Sequence, residues 1–276
     1  MNKDSHWNDA FDVDLPFWAP YRELLGRRAD PRFPDIAALN ALLPRGCSSG
    51  GGKPLQFVLA SQVPNVAYER HIFETGEVST RENNWHDLFN ALVWCRLPRL
   101  KAALNALHYG QLDLEHEGRR GVLRDALTLL DESGVIVLGR DRTVLQALAA
   151  RDWQDAFRNN HEAWKTDMRV VVCGHGLLEK FLQPYKAMTA HALLCHVEEP
   201  FFDAPGEHLP DSADASIAQL LLEGALQSGP ENLSPLPLMG IPAWWPEGAQ
   251  DPAFYADTQV FRPAPVQFQP APVHSL

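Results

Sequence analysis

The chain is short of the residues and patterns that would place it in a redox, membrane or nucleotide-handling class. Its 276 residues include only four cysteines, Cys47, Cys95, Cys173 and Cys195, which lie far apart and form no C-x-x-C pair. That spacing excludes a zinc knuckle or thioredoxin-like motif and predicts reduced, mostly buried thiols. The opening MNKDSHWNDAFDVDL has no apolar stretch behind a basic start, so no secretory leader is expected. No apolar run approaches the ~20 residues of a membrane helix. No Walker A loop, Rossmann fingerprint or serine nucleophile elbow is read in the sequence, and the His-Glu-x-x-His signature is missing. Basic residues are scarce in one region only. The net charge is -11, yet acidic and basic residues nearly cancel up to His196, and the surplus acid lies beyond it, where Arg262 is the single basic residue. No basic face suits duplex nucleic acid, and the body of the chain is left able to bind a small ligand locally. A cytoplasmic protein without membrane contact is expected, and nothing in the sequence sets its oligomeric state.

What is present reads as one globular domain. The hydrophobic fraction of 45% supports a real core. The pattern predicts an α+β or mixed α/β fold with β-hairpins packed on helices: a helical and loop lead-in over 1–55, a core over 56–228, and a Pro- and aromatic-rich extension over 229–276 that wraps the domain, with only its last dozen residues free. Ser48 to Gly52 reads as a flexible glycine connector. Gln56 to Ala60 predicts a buried strand. Hairpins are predicted over Tyr68–Thr80, turning at Glu74–Glu77, and over Leu127–Leu138, turning at Asp131–Gly134. Asn84 is placed to cap a helix running to Cys95, and Pro98 to start another ending near His108. Helical periodicity covers Thr143 to about Trp164. A strand over Arg169–Cys173 leads into a helix at His175, and a last helix is predicted over Ala215–Gln227.

Chemistry-bearing residues gather between Glu69 and His191. In the helix after Asn84, His86 and Asn90 share a face and Asp87 sits beside them. A first-turn position disfavours imidazolium and keeps His86 available as base or ligand. Lys101, Asn105 and His108 form a polar stripe opposite Leu100, Ala103, Leu104 and Leu107. Arg124 and Asp125 flank the second predicted hairpin, with Asp131 and Glu132 as its turn formers. The strand–glycine–helix passage Cys173-Gly174-His175 lies where open α/β sheets hold ligands, and His175 and Glu179, four apart, suit two metal ligands or a base held by its carboxylate. His191 is a further contributor.

The strings Tyr68-Glu69-Arg70 through Arg81, Asn84 through Trp94, Lys101 through His108, Leu129 through Glu132, Gly174 through Lys180, and the ending from Gly240-Ile241-Pro242 through Phe261-Arg262-Pro263 resemble a proteobacterial family known only as a domain of unknown function. The resemblance spans most of the chain, implies a stand-alone bacterial protein, and brings no activity with it. His86-Asp87, with His71 and Asp131, is superficially similar to the His-Asp phosphohydrolases, but predicted hairpins do not suit their all-helical fold.

Two functions remain open. In the first the chain is a hydrolase, metal-dependent in one version, acting on a small anionic substrate. His86, Asp87, His175 and Glu179 would be catalytic. A divalent metal would draw its ligands from His86, His108, His175 and Glu179, while Arg81, Asn90, Lys101, Asn105 and Arg124 would hold substrate. In the second it is a non-catalytic binding or assembly factor working through the aromatic C-terminal surface.

Overall fold

The computed structural model describes residues 12–26, 32–112, 121–198, 201, 211–246 and 248–276. Buried apolar side chains from nearly every element form one core, so the chain is a mixed α+β domain. Two small helices, α1 (Arg22–Gly26) and α2 (Ile36–Asn40), lie ahead of the first strand, β1 (Gln56–Leu59). Helix α3 (Tyr68–Thr75) then carries the chain back to β2 (Glu77–Thr80), which pairs with β1 in parallel, Gln56 opposite Glu77. The expected first hairpin is therefore a strand–helix–strand crossover. Gly76 ends α3 in the left-handed region (φ 81°), and its missing Cβ leaves room for the Pro54 carbonyl.

Helices α4 (Trp85–Arg96) and α5 (Pro98–Leu112) follow, close to their predicted limits. Asn84 caps α4 as expected, its side chain accepting from the Asp87 N–H at 3.0 Å. The second expected hairpin is also absent. Helix α6 (Val122–Ser133) runs directly into β3 (Gly134–Gly139). Every residue of β3 is buried, and it is central: antiparallel to β4 (Met168–Val172) on one side and parallel to β5 (Thr189–His196) on the other. Along its free edge β5 takes two short partners in turn, β6 (Ser234–Pro237) antiparallel and β7 (Val273–Ser275) parallel. Of the last dozen residues, expected to be free, Val273–Ser275 are thus a sheet strand.

The helical run predicted after Thr143 is divided into α7 (Arg142–Ala150), a π-helical turn over Gln154–Asn159, and α8 (Ala163–Thr166), with Arg151 in the left-handed region where α7 ends (φ 57°). Helix α9 (His175–Lys180) follows β4; α10 (Asp211–Leu222) starts and stops earlier than predicted, and α11 (Pro252–Tyr255) is a single turn. Aromatic contacts tie both ends of the chain to the core. Phe17 stacks on Phe181 with ring centres 4.1 Å apart and meets Trp244 edge-on, while Phe157 packs against Tyr255 and Phe261. Among the described residues no helix is long and apolar enough to cross a membrane.

The glycine run is not a flexible connector. A Cβ on Gly50 would lie 2.5 Å from the Ala106 nitrogen, and one on Gly51 2.1 Å from the Phe73 carbonyl oxygen. Glycine there lets the loop press onto α5 and α3, where the Gly50 N–H donates to Asn105.

Candidate metal centre

A close approach between two chain junctions builds the site. At Gly174, between β4 and α9, a Cβ would stand 2.4 Å from the Gly134 nitrogen and 2.6 Å from the Ser133 nitrogen. Only glycine lets this junction cross the α6–β3 junction at such range, and the crossing lays His175, first residue of α9, over Asp131 and Glu132 at the end of α6. Gly176 continues the contact, since a Cβ there would meet the Glu132 carboxylate at 2.7 Å. From the opposite side the first turn of α4 contributes His86.

The two imidazoles meet through their Nε2 atoms at 3.1 Å, with ring planes inclined at 70°. Glu132 Oε1 lies 3.6 Å from His175 Nε2, and donor atoms of His86, Glu132 and His175 all fall within 4.8 Å of one another. Each imidazole turns its other nitrogen to a carboxylate. His86 Nδ1 is 3.2 Å from Glu179 Oε2, and His175 Nδ1 faces Asp131 Oδ2 at 3.8 Å. His175 is buried, and desolvation, only partly opposed by Asp131, pushes its pKa down to about 4. The ring is therefore neutral and able to ligate at physiological pH.

Asp131 is no turn former. Its Oδ1 accepts from Lys101 Nζ at 2.6 Å, and that ammonium also lies over the Trp94 ring. Burial would raise the Asp131 carboxyl, but Lys101 and His175 prevail and hold it down to about 2. Glu132, half-exposed, is shifted upward, mainly by desolvation.

A cavity of about 410 Å³ opens beside this cluster, walled in part by Tyr68, Glu69, Arg81, Asn90, His108, Arg124 and Asp131. His86 and Glu132 also border a second cavity of about 670 Å³ that runs along α9 past Lys180, Leu182 and Tyr185. These two donors therefore stand on the partition between the cavities. Glu69 lines the first one, and Asn105 Nδ2 donates to its carboxylate at 2.7 Å. Desolvation, reinforced by Asp131, raises that carboxyl to about 7.

Most of the sequence-predicted residues converge here, several of them with partners that the sequence did not indicate. Asp87 is a clamp for the loop before α4. Its oxygens accept from the Arg81 backbone N–H, Nε and Nη2 at 2.7, 2.9 and 2.8 Å, so Arg81 is paired with Asp87 at the cavity wall. Lys101 and Asn105 are buried rather than solvated and serve Asp131 and Glu69. His108, expected as a ligand, lines the cavity but stands outside the donor cluster, and Arg124 lines the same wall. Glu179 faces His86 from behind. His191 lines neither cavity and bonds Ser133, a wall residue of the second, at 3.0 Å. Sequence reasoning missed Glu69, Asp131 and Glu132. The signal that could have found the last two was a pair of acids at a helix end, against its dipole.

Gly46-Cys47-Ser48-Ser49-Gly50 does spell the letters of a serine elbow, contrary to the sequence reading. The context differs, because Ser48 sits in an isolated bridge with Pro54 rather than between a strand and a helix.

Residues 55–265 match the family described as a protein of unknown function (DUF3025), and the chain belongs to it. No curated protein and no solved structure matches the chain.

Proposed function

We propose that the protein is a metal-dependent hydrolase whose divalent ion is held by His86 Nε2, His175 Nε2 and Glu132. One observation carries this reading: both Nε2 atoms converge with a carboxylate while both Nδ1 atoms face carboxylates of their own. Imidazoles that ligate metals have a second partner that fixes the ring and raises its basicity; Glu179 is that partner for His86 at 3.2 Å, whereas His175 Nδ1 stands 3.8 Å from Asp131 without a hydrogen bond. Two nitrogens on one tetrahedral zinc lie ~3.3 Å apart at ordinary bond lengths, close to the 3.1 Å found here.

Three protein ligands leave a position open on the cavity, and a metal so held supplies an acidified water and polarises a substrate carbonyl or phosphoryl oxygen. In hydrolysis, water adds to the electrophilic atom, the bond to the leaving oxygen or nitrogen breaks, and the leaving atom gains a proton. Arg81 is paired with Asp87, and the reading does not depend on an anionic substrate. Against the alternative of a binding factor, Trp244, Phe254 and Phe261 of the aromatic extension are buried, while Trp245 and Tyr255 stay part-exposed. A cytoplasmic setting agrees with four unpaired cysteines.

The test is metal content, by plasma mass spectrometry, of protein purified without chelator, beside His86→Ala and His175→Ala. Near-stoichiometric zinc that disappears in both variants is expected, and justifies screening esters, amides and phosphoesters. Folded protein that neither carries nor takes up zinc overturns the reading; iron in its place keeps the site and overturns the hydrolase assignment.

A further inference from the structure

The wall of the same cavity also holds an unsatisfied polar group. Asn90, one helical turn beyond His86 on α4, is buried at 7% exposure and lines the cavity wall. Its Nδ2 donates to the Tyr68 hydroxyl oxygen at 2.9 Å. Its Oδ1 is enclosed and has no hydrogen-bond partner among the described residues. Buried amide oxygens are almost always satisfied, so a bare one in a cavity wall marks the place of a donor that arrives with a ligand.

The neighbours specify the kind of donor. Glu69, next in sequence to Tyr68, presents a carboxylate held by the neutral Asn105 amide and by no ion pair among the described residues. The nearby cations are otherwise engaged: Arg81 forks onto Asp87, Lys101 behind the wall is closed against Asp131, and Arg124 has interactions of its own. An amide oxygen and a carboxylate together suit a group with several N–H donors and a positive charge. Asn90 and His86 are four residues apart on one helix face, which puts their side chains ~5–6 Å apart. That matches an amino group one or two carbons from a carbonyl on the metal.

We propose that the cavity recognises a primary ammonium through Asn90 and Glu69, so that the substrate is an amine-bearing acyl compound, an α- or β-aminoacyl ester or amide. Its amino end fills the first cavity, its acyl carbon lies over the partition at His86 and Glu132, and its leaving portion extends into the second cavity beside Leu182 and Tyr185. This proposal rests on the metal-hydrolase reading for the position of the acyl group, and on Asn90 and Glu69 alone for the ammonium.

The experiment uses three hydroxamates of nearly equal size, those of β-alanine, butyric acid and succinic acid, ending in ammonium, methyl and carboxylate. Binding is measured by calorimetry and ligand-observed NMR to zinc-loaded and to chelator-stripped protein, for the wild type, Asn90→Leu and Tyr68→Phe. In the wild type the β-alanine compound should bind about tenfold or more tighter than the butyric one, the scale of a charge-assisted hydrogen bond, and the succinic compound weakest. In Asn90→Leu that preference should fall to about twofold while the butyric compound keeps its affinity. Tyr68→Phe, a milder change at a partly exposed residue, should weaken the preference and guards against a misfolded Asn90 variant. Equal binding of ammonium and methyl ends, tightest binding of the carboxylate, or a preference unaltered in Asn90→Leu each overturns the proposal. Failure of the metal reading shows separately, as affinities that do not depend on zinc; the ranking in stripped protein then decides the ammonium site.

Discussion

His86 Nε2 and His175 Nε2 lie 3.1 Å apart although 89 positions separate the two residues in sequence. At this range one ring nitrogen donates to the other, and a cation between them would replace that proton. Behind each ring stands a carboxylate whose removal should loosen the pair without touching a donor atom.

Glu179→Gln should weaken zinc affinity by roughly 10–100-fold, the usual effect of losing a ligand's outer partner. Competition with a chromophoric chelator measures it. Unaltered affinity would count against the orientation of His86 by Glu179.

His108→Ala should leave zinc stoichiometry at its wild-type value, since His108 stands outside the donor cluster. Some loss of stability is expected, about 1–3 kcal/mol for a buried polar side chain. Metal analysis together with a thermal melt separates the two effects.

Lys101→Met should be among the most damaging single changes. It strands the Asp131 carboxylate, now paired at 2.6 Å, in a closed environment, and breaking such a pair costs about 3–5 kcal/mol. A melting temperature lower by roughly 10 °C is expected for a chain of this size. Lys101→Met combined with Asp131→Asn should recover much of the loss, which a double-mutant cycle would show.

Glu69→Gln should change how stability depends on pH. Desolvation raises the folded-state carboxyl from 4.5 to about 7, so the protonated form is the one that folding favours. Its contribution is intact below pH about 4.5 and is lost as pH rises towards about 7. The wild type should therefore lose stability over that window relative to the variant, by an amount on the order of 2 kcal/mol. Parallel urea melts at pH 5 and pH 8 test it, and equal differences at the two pH values would refute the assignment.

The sequence made some of these features readable and hid others for physical reasons. The capped start of α4 was legible because Asn84 and the apolar periodicity behind it are local signals. So was the passage from β4 into α9, where an apolar run meets Gly174. Both mistaken hairpins fell where a helix passes into a strand with little or no loop. At Asp131-Glu132-Ser133-Gly134 the letters are those of a turn, and two acids at a helix C-terminus oppose its dipole. Lys101, 30 positions upstream, offsets one of them, and the metal proposed here offsets the other. Local rules fail there because distant charges override them, which is common at functional sites. The burial of Lys101, Asn105 and His108 was likewise out of reach, because α5 is covered on both faces by segments that sequence periodicity cannot place.

The two short strands that close the edge of β5 have a consequence for biosynthesis. On a ribosome, β5 is complete once residue 196 has emerged, but β7 pairs with it only after residues 273–275 appear. At ordinary elongation rates that interval is roughly 4–15 s, and until it ends half of a central apolar strand presents unpaired backbone to its surroundings. The nascent chain therefore passes through a stage open to strand exchange with its neighbours on the same message, and crowding of translating ribosomes should lower the yield of native protein more than crowding of the finished chain does.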